Sequence, residues 1–340
     1  MRVIIASGGT GGHLYPAILI GKELERMGEK VLFTVGKRET ELRIVKSMNV
    51  NYRVLPLTPP SNRFFHYPSI LISLFTAFNV IRSFKPESIL GTGSYTAFPM
   101  LFWAKILKIP IYLHEQNTIP GKVTKIFSKY AEKVFISFPE TKKYIKNNRK
   151  TVFTGLPVRE IDVESDYSRI LEEIQLDKDK PIFLAFGGSQ GSYVLLKMLK
   201  EVEKEIQKMG LQGIIIKGNV ELTFKYAFPH VLKEYIYDMP SFYKISDFVI
   251  ARGGASTIWE LINARKPAII IPIKGNLHQF KNALFFKELG GGYVIEEEDI
   301  QSFINSISYL LDKKEEFIKN LKSFNIPDWR VILNKEMKNA

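Results

Sequence analysis

Cysteine is absent from the 340 residues. That excludes disulfide scaffolds, thiolate-ligated zinc, iron–sulfur clusters and thiol nucleophiles. Acidic residues are under-represented, with 35 Asp and Glu against 48 Lys and Arg and a net charge of +13. A surplus of that size points to an anionic partner: nucleic acid, acidic lipid or a phosphorylated small molecule. Long apolar runs are also lacking. Residues 64–81 carry no formal charge, which only reaches the lower limit of about 18 residues for a spanning helix. Pro68, Ser69, Ser73, Thr76 and Asn79 interrupt the run, so a surface or core helix is expected. The opening MRVIIASGGTGGH is too short and wrongly flanked for a signal peptide, and a cytosolic chain is expected.

What is present suits a large globular chain. A hydrophobic content of 45% with 12% aromatics can bury sizeable cores, and at about 150 residues per domain the length suggests two. Apolar runs at 3–6, 31–35, 89–90, 109–113 and 134–136 alternate with amphipathic stretches, and the rhythm restarts at 182–186, 213–216, 248–251 and 268–271. Strand, helix, strand in that order predicts an α/β protein of two Rossmann-like, doubly wound domains. Residues 155–167 read as the linker, giving domains at 1–156 and 157–326. A final helix opened by Pro327 and covering 327–340 is expected to return to the first domain.

Three glycine turns follow strands: IIASGGTGG at 4–12, FLAFGGSQG at 183–191 and ARGGAST at 251–257. Such turns point backbone N–H groups and a helix dipole outward, where phosphate is the usual guest. A single turn is explained equally well by backbone angles that only glycine adopts. Three at the carboxyl ends of parallel strands favour a nucleotide. None ends in GK followed by Ser or Thr, which argues against nucleotide hydrolysis. Val35, Gly36 and Lys37 stand where a nicotinamide dinucleotide site prefers an acid.

The motifs GGTGGH (8–13), HEQN (114–117), GLPVR (155–159), GGSQGS (187–192) and HQFKNA (278–283) together resemble the MurG family of glycosyltransferases, family 28, in the right order over both domains. The resemblance implies a GT-B fold, two such domains facing across a cleft, with the acceptor on the first and UDP-N-acetylglucosamine mainly on the second. It implies inverting transfer to the C4 hydroxyl of the muramoyl pentapeptide of lipid I, giving lipid II. His13 is the candidate base, with Glu115 as the rival carboxylate. Position by position, Thr10, Gly11 and Gly12 would face diphosphate and sugar, and Asn117, Gln279 and Asn282 the sugar. Ser189 and Arg159 would lie on the nucleotide side. Ala255, Ser256, Thr257, Ile258, Trp259 and Glu260 would form the turn and helix whose Glu260 accepts from the ribose hydroxyls. The Ile236 main chain would read uracil. Tyr95 and His114 would shape the acceptor side. Leu156 and Ser94 depart from the family pattern, which has Asn and Gly there.

Asp177 and Asp179 share a D-x-D spacing but precede a strand among lysines, so a solvated loop is expected, and no tightly bound metal or cofactor is implied, magnesium stimulation being left open. Between Arg63 and Lys85 the helix is apolar nearly all round. Leu74, Phe75 and Phe78, rimmed by Arg82 and Lys85, are the expected contact with the anionic cytoplasmic face of the inner membrane. No nucleic-acid module is visible. Two rivals remain: a UDP-N-acetylglucosamine 2-epimerase of the same fold, and a non-catalytic nucleotide-sugar-binding subunit.

Overall fold

The computed structural model of the chain describes residues 1–9, 11–59, 63–159, 170, 173–188 and 190–338, with the side chains of 63–66 left aside. Thr10 and Ser189 lie outside the described residues. The chain divides into two compact units, Met1–Val158 with Pro327–Ala340, and Arg159–Ile326.

In the first unit, β1 (Arg2–Ala6), β2 (Lys30–Val35), β3 (Tyr52–Val54), β4 (Ser88–Gly91), β5 (Ile111–Glu115), β6 (Lys133–Ile136) and β7 (Thr151–Phe153) form a parallel sheet in the order β3-β2-β1-β4-β5-β6-β7. Ile5 sits beside Phe33 on one neighbour and Leu90 on the other. Side chains alternate across β1. Val3 and Ile5 pack with Leu14 and Ile18 of α1 (Gly11–Arg26) and Val45 of α2 (Glu39–Ser47). Ile4 and Ala6 pack with Ala77 and Ile81 of α3 (Arg63–Phe84) and Leu101 of α4 (Phe98–Leu107). Burial on both faces is why these strands read as unbroken apolar runs. The helix Trp329–Lys338 adds Trp329, Leu333 and Met337 to the α1 face. Each such burial is worth about 1.5–3 kcal/mol, and a Lys133–Glu336 ion pair at 2.6 Å joins it.

The second unit repeats the plan with β8 (Ile182–Phe186), β9 (Gln212–Ile216), β10 (His230–Lys233), β11 (Phe248–Ala251), β12 (Ala268–Ile270) and β13 (Gly292–Val294) in the order β10-β9-β8-β11-β12-β13. Each sheet reverses its winding once, between β1 and β4 and between β8 and β11. At such a switch point neighbouring strand-end loops diverge and leave room for a ligand. The three glycine turns are the loops after β1, β8 and β11.

α3 departs from the expected arrangement. Ser73 and Ala77 are 0% exposed on its inner face, while Leu71, Ile72 and Phe75 are 71%, 59% and 68% exposed. Leu74 and Phe78, expected to meet lipid, are half-buried beside α4: the Trp103 indole N–H donates to the Leu74 backbone carbonyl (2.8 Å), and the Phe78 and Trp103 ring centroids are 4.8 Å apart. With the small Ser73 and Ala77 on the inner face, the outward face of α3 falls to Leu71, Ile72 and Phe75. Phe75, Arg82 and Lys85 are exposed as expected. Among the described residues no helix is long and apolar enough to cross a membrane.

Candidate active site

The switch point of the first unit is built around a buried carboxylate. Glu41 of α2 accepts the N–H groups of Gly9 (2.9 Å) and Gly36 (2.6 Å). Gly8 has φ +144°, and a Cβ there would meet Thr96 Oγ1 at 2.5 Å and Glu41 Oε2 at 2.7 Å. The turn therefore closes over Glu41 and Thr96 only because it lacks side chains. Burial raises the Glu41 carboxyl above its usual range, opposed by the two glycine N–H groups and Arg38.

From that turn α1 begins, and His13 stands in its first coil. Two oxygens face its Nδ1, the Thr92 carbonyl at 2.8 Å and Gln116 Oε1 at 2.6 Å. The Gln116 amide is oriented by its nitrogen, which donates to the His114 carbonyl (2.9 Å) and lies 3.1 Å from His114 Nδ1. Both neighbours of His13 Nδ1 are acceptors, so this nitrogen carries a proton, and in the neutral imidazole the lone pair is on Nε2. Glu115 is committed elsewhere. Its carboxylate accepts Asn117 N–H (3.1 Å), Gly121 N–H (3.1 Å) and the Thr124 hydroxyl (2.6 Å).

His114 is 1% exposed. Burial pulls its imidazole down to about 4, the Gly155 backbone opposing and His13 adding a smaller push. Unfolded, the group titrates near 6.5. Between these values the unfolded chain binds more protons, so stability rises with pH across the window and is lost as pH falls through it. The wild-type protein is expected to lose about 3 kcal/mol from pH 6.5 to 4 that His114→Gln does not lose. Urea unfolding of both proteins across that range checks this, and parallel profiles would overturn it.

The second unit presents two glycine turns at its own switch point. After β8, Gly191 has φ +79°, and a Cβ on it would stand 2.0 Å from the Lys217 carbonyl. Ser192 then caps the helix Tyr193–Glu201 by accepting Leu195 N–H (3.3 Å). After β11 the helix Ala255–Ala264 starts, with the Ser256 hydroxyl oxygen buried and partnerless. A shielded polar atom at a helix amino terminus is what an anionic or hydroxylic ligand would satisfy. Glu260 accepts the Tyr243 hydroxyl (2.7 Å). Burial raises its carboxyl, with Tyr243 and Arg159 opposing. Arg159 donates to the Tyr237 carbonyl (2.6 Å), fixing the loop after β10 that holds Ile236.

Residues 3–136 match the model of the glycosyltransferase family 28 N-terminal domain, and residues 182–328 that of its C-terminal domain. The chain belongs to glycosyltransferase family 28. It is 31% identical over 335 residues to the UDP-N-acetylglucosamine--N-acetylmuramyl-(pentapeptide) pyrophosphoryl-undecaprenol N-acetylglucosamine transferase of Clostridium tetani (strain Massachusetts / E88), covering 95% of this chain and 93% of that one. The protein of the same name from Prochlorococcus marinus (strain AS9601) is 32% identical, with 99% and 93% covered. Among solved structures, that of Acinetobacter baumannii MurG superposes with a TM-score of 0.78 at 22% identity, covering 99% of each chain. A UDP-GlcNAc 2-epimerase from Neisseria meningitidis reaches 0.71 at 14% identity, covering 100% of each. At these identities the structures speak for the fold alone.

Set on this family-28 framework, the expected site residues divide. Gly11, Gly12 and His13 open α1, and Asn117 follows β5. Tyr95 is half-buried under the Arg38 guanidinium, 5.6 Å from its ring centroid. Ile258 and Trp259 are corrected: both side chains are 0% exposed, Trp259 stacking on Phe285, so only their backbone can face a ligand. Asn282 is likewise buried and donates to the Gly253 carbonyl (3.2 Å) instead of presenting its amide outward. Gln279 remains at the surface, its Oε1 accepting Ile273 N–H (3.1 Å). Ile236 lies beyond β10 in a loop, not in a strand. The Asp177 carboxylate is occupied by Asp179 N–H (3.0 Å) and Lys180 (3.3 Å) in the turn before β8. A pocket of about 420 Å³ lined by Ile273, Leu277 and Phe280 opens on the helix Leu277–Glu288. Leu277 and Phe280 lie on the helix face opposite Gln279 and Asn282, while Ile273, whose N–H donates to Gln279, also lines the pocket. Glu41 and Tyr243 were not singled out from sequence, and Gln116 entered only within the HEQN motif, because only their distant partners reveal their roles.

Proposed function

We propose that this chain transfers N-acetylglucosamine from UDP-N-acetylglucosamine to the C4 hydroxyl of the muramoyl pentapeptide of lipid I, with inversion, forming lipid II. The observation that carries this reading is the near-full-length identity of 31–32% to transferases of that name. The chemistry is consistent with it. His13 Nε2, left with a lone pair by the two acceptors at Nδ1, takes the proton from the attacking hydroxyl as C1–O bond formation expels UDP. Gln116 and the Thr92 carbonyl then stabilise the imidazolium. Glu115, already accepting from three groups, shapes the acceptor loop and is not the base. The second unit binds the donor, with Glu260 on the ribose, the loop of Ile236 on uracil, and the helix start at Ala255 and Ser256 against the departing diphosphate. No tightly bound metal or cofactor enters the scheme.

Incubation with radiolabelled UDP-N-acetylglucosamine and a short-chain lipid I analogue is expected to place label in the lipid product. Free UDP-N-acetylmannosamine instead would assign the epimerase reaction. The same reading puts the chain on the anionic cytoplasmic surface of the membrane, docked through Leu71, Ile72 and Phe75. Supporting it, Ile106, Leu107 and Ile126 are exposed on the α4 side, with the Lys105 and Lys129 ammonium groups 4.4 and 4.9 Å from the Tyr130 ring centroid. Leu71→Ser with Phe75→Ser is expected to reduce binding to phosphatidylglycerol vesicles at least tenfold without lowering thermal stability. Unchanged vesicle sedimentation would remove this face from the model of docking.

A further inference from the structure

Arg252 directly follows β11 and is 5% exposed, and no role has been assigned to it above. Its guanidinium has a fixed fork of donors, and the structure uses them in several directions. Nη1 donates to the Ile271 carbonyl just past β12 (2.9 Å), and Nε to the Ser192 hydroxyl oxygen in the turn after β8 (3.1 Å). Nη2 pairs with Glu297 Oε1 in the loop after β13 (2.6 Å), where both side chains are nearly buried. Glu297 Oε2 in turn accepts Lys274 N–H (2.8 Å), and the adjacent Ile273 N–H donates to Gln279 Oε1. A continuous set of bonds thus runs from Ser192 to the side chain of Gln279. Ser192 oxygen already accepts from Leu195 N–H and Arg252, so its hydroxyl proton is the group left to donate.

We infer that Arg252 and Glu297 are a positioning pair for the donor, locking the diphosphate turn with Ser192 as a donor group and tying it to Gln279. This rests on the reading that the second unit binds a UDP-sugar. Neither residue touches the reacting atoms; the pair acts through Ser192 and Gln279. Lysine at position 252 keeps the charge but lacks the fork, so it reaches one partner and releases the others.

The test measures dissociation constants for UDP-N-acetylglucosamine, UDP and uridine on the full chain, wild type, Arg252→Lys and Glu297→Gln, with melting temperature as a check on folding. Arg252→Lys is expected to weaken UDP and UDP-N-acetylglucosamine at least tenfold while uridine, followed by competition, changes less than twofold. Glu297→Gln is expected to weaken UDP-N-acetylglucosamine at least threefold more than UDP, and it carries the test if the lysine variant does not fold. Equal weakening of all three ligands, or of none, would overturn the pair's role while leaving the donor reading intact. Failure of the wild-type chain to bind UDP at all would instead overturn the donor reading.

Discussion

His13→Ala is expected to lower kcat by about 10²–10⁴-fold while leaving UDP affinity within twofold. The side chain makes its hydrogen bonds to the Thr92 carbonyl and Gln116 within the first unit, whereas uridine recognition is assigned to the second. Removing the imidazole takes away the proposed proton acceptor and no nucleotide contact assigned to the second unit. Gln116→Leu should produce a smaller fall in kcat, because the second acceptor at Nδ1, which orients the ring, is lost. Steady-state turnover of a lipid I analogue beside UDP titration checks both. Undiminished turnover in His13→Ala would exclude it as the base.

The second large effect concerns folding. Glu41→Leu is expected to destabilise the protein by roughly 2–6 kcal/mol, since two N–H donors, those of Gly9 and Gly36, lose their buried acceptor at about 1–3 kcal/mol each. The leucine also fits poorly beneath a turn whose glycine Cα atoms stand against the carboxylate. The same displacement moves the start of α1, so kcat should fall in any fraction that folds. Because the folded carboxyl titrates above its usual value, folding favours its protonated form. The wild-type contribution of Glu41 is then largest at low pH and declines as pH rises through the raised value. Urea unfolding at two pH values measures the loss; a midpoint unchanged from wild type would show that the turn does not depend on Glu41.

Much of the fold was legible because central parallel strands are covered on both faces and must be apolar throughout. The strands that apolar runs failed to mark are β3, β7, β10 and β13, and these are the edges of the two sheets. Their residues are largely half-buried or exposed, so burial imposes no continuous pattern on them. α3 failed for a related reason. Apolar nearly all round, it carried no periodicity to say which side faces the sheet, and the small residues Ser73 and Ala77 made the choice.

The site divides along the same line. The glycine turns, the histidine that follows the first of them, and the HEQN run are local in sequence, so their presence was visible in the chain before any fold was known. Glu41 beneath Gly9, Gln116 against His13, Tyr243 on Glu260 and Arg252 on Ser192 join positions 32, 103, 17 and 60 residues apart. A hydrogen bond leaves no periodic trace in the chain, so these partnerships exist only once the sheets bring strand ends together. Sequence by itself determined that the chain forms two parallel α/β units with glycine turns directly after their strands. Tertiary structure alone decided which nitrogen of His13 holds the proton, that Glu115 is spent on neighbouring donors, and which side of α3 meets solvent, because each depends on what stands opposite a group in space.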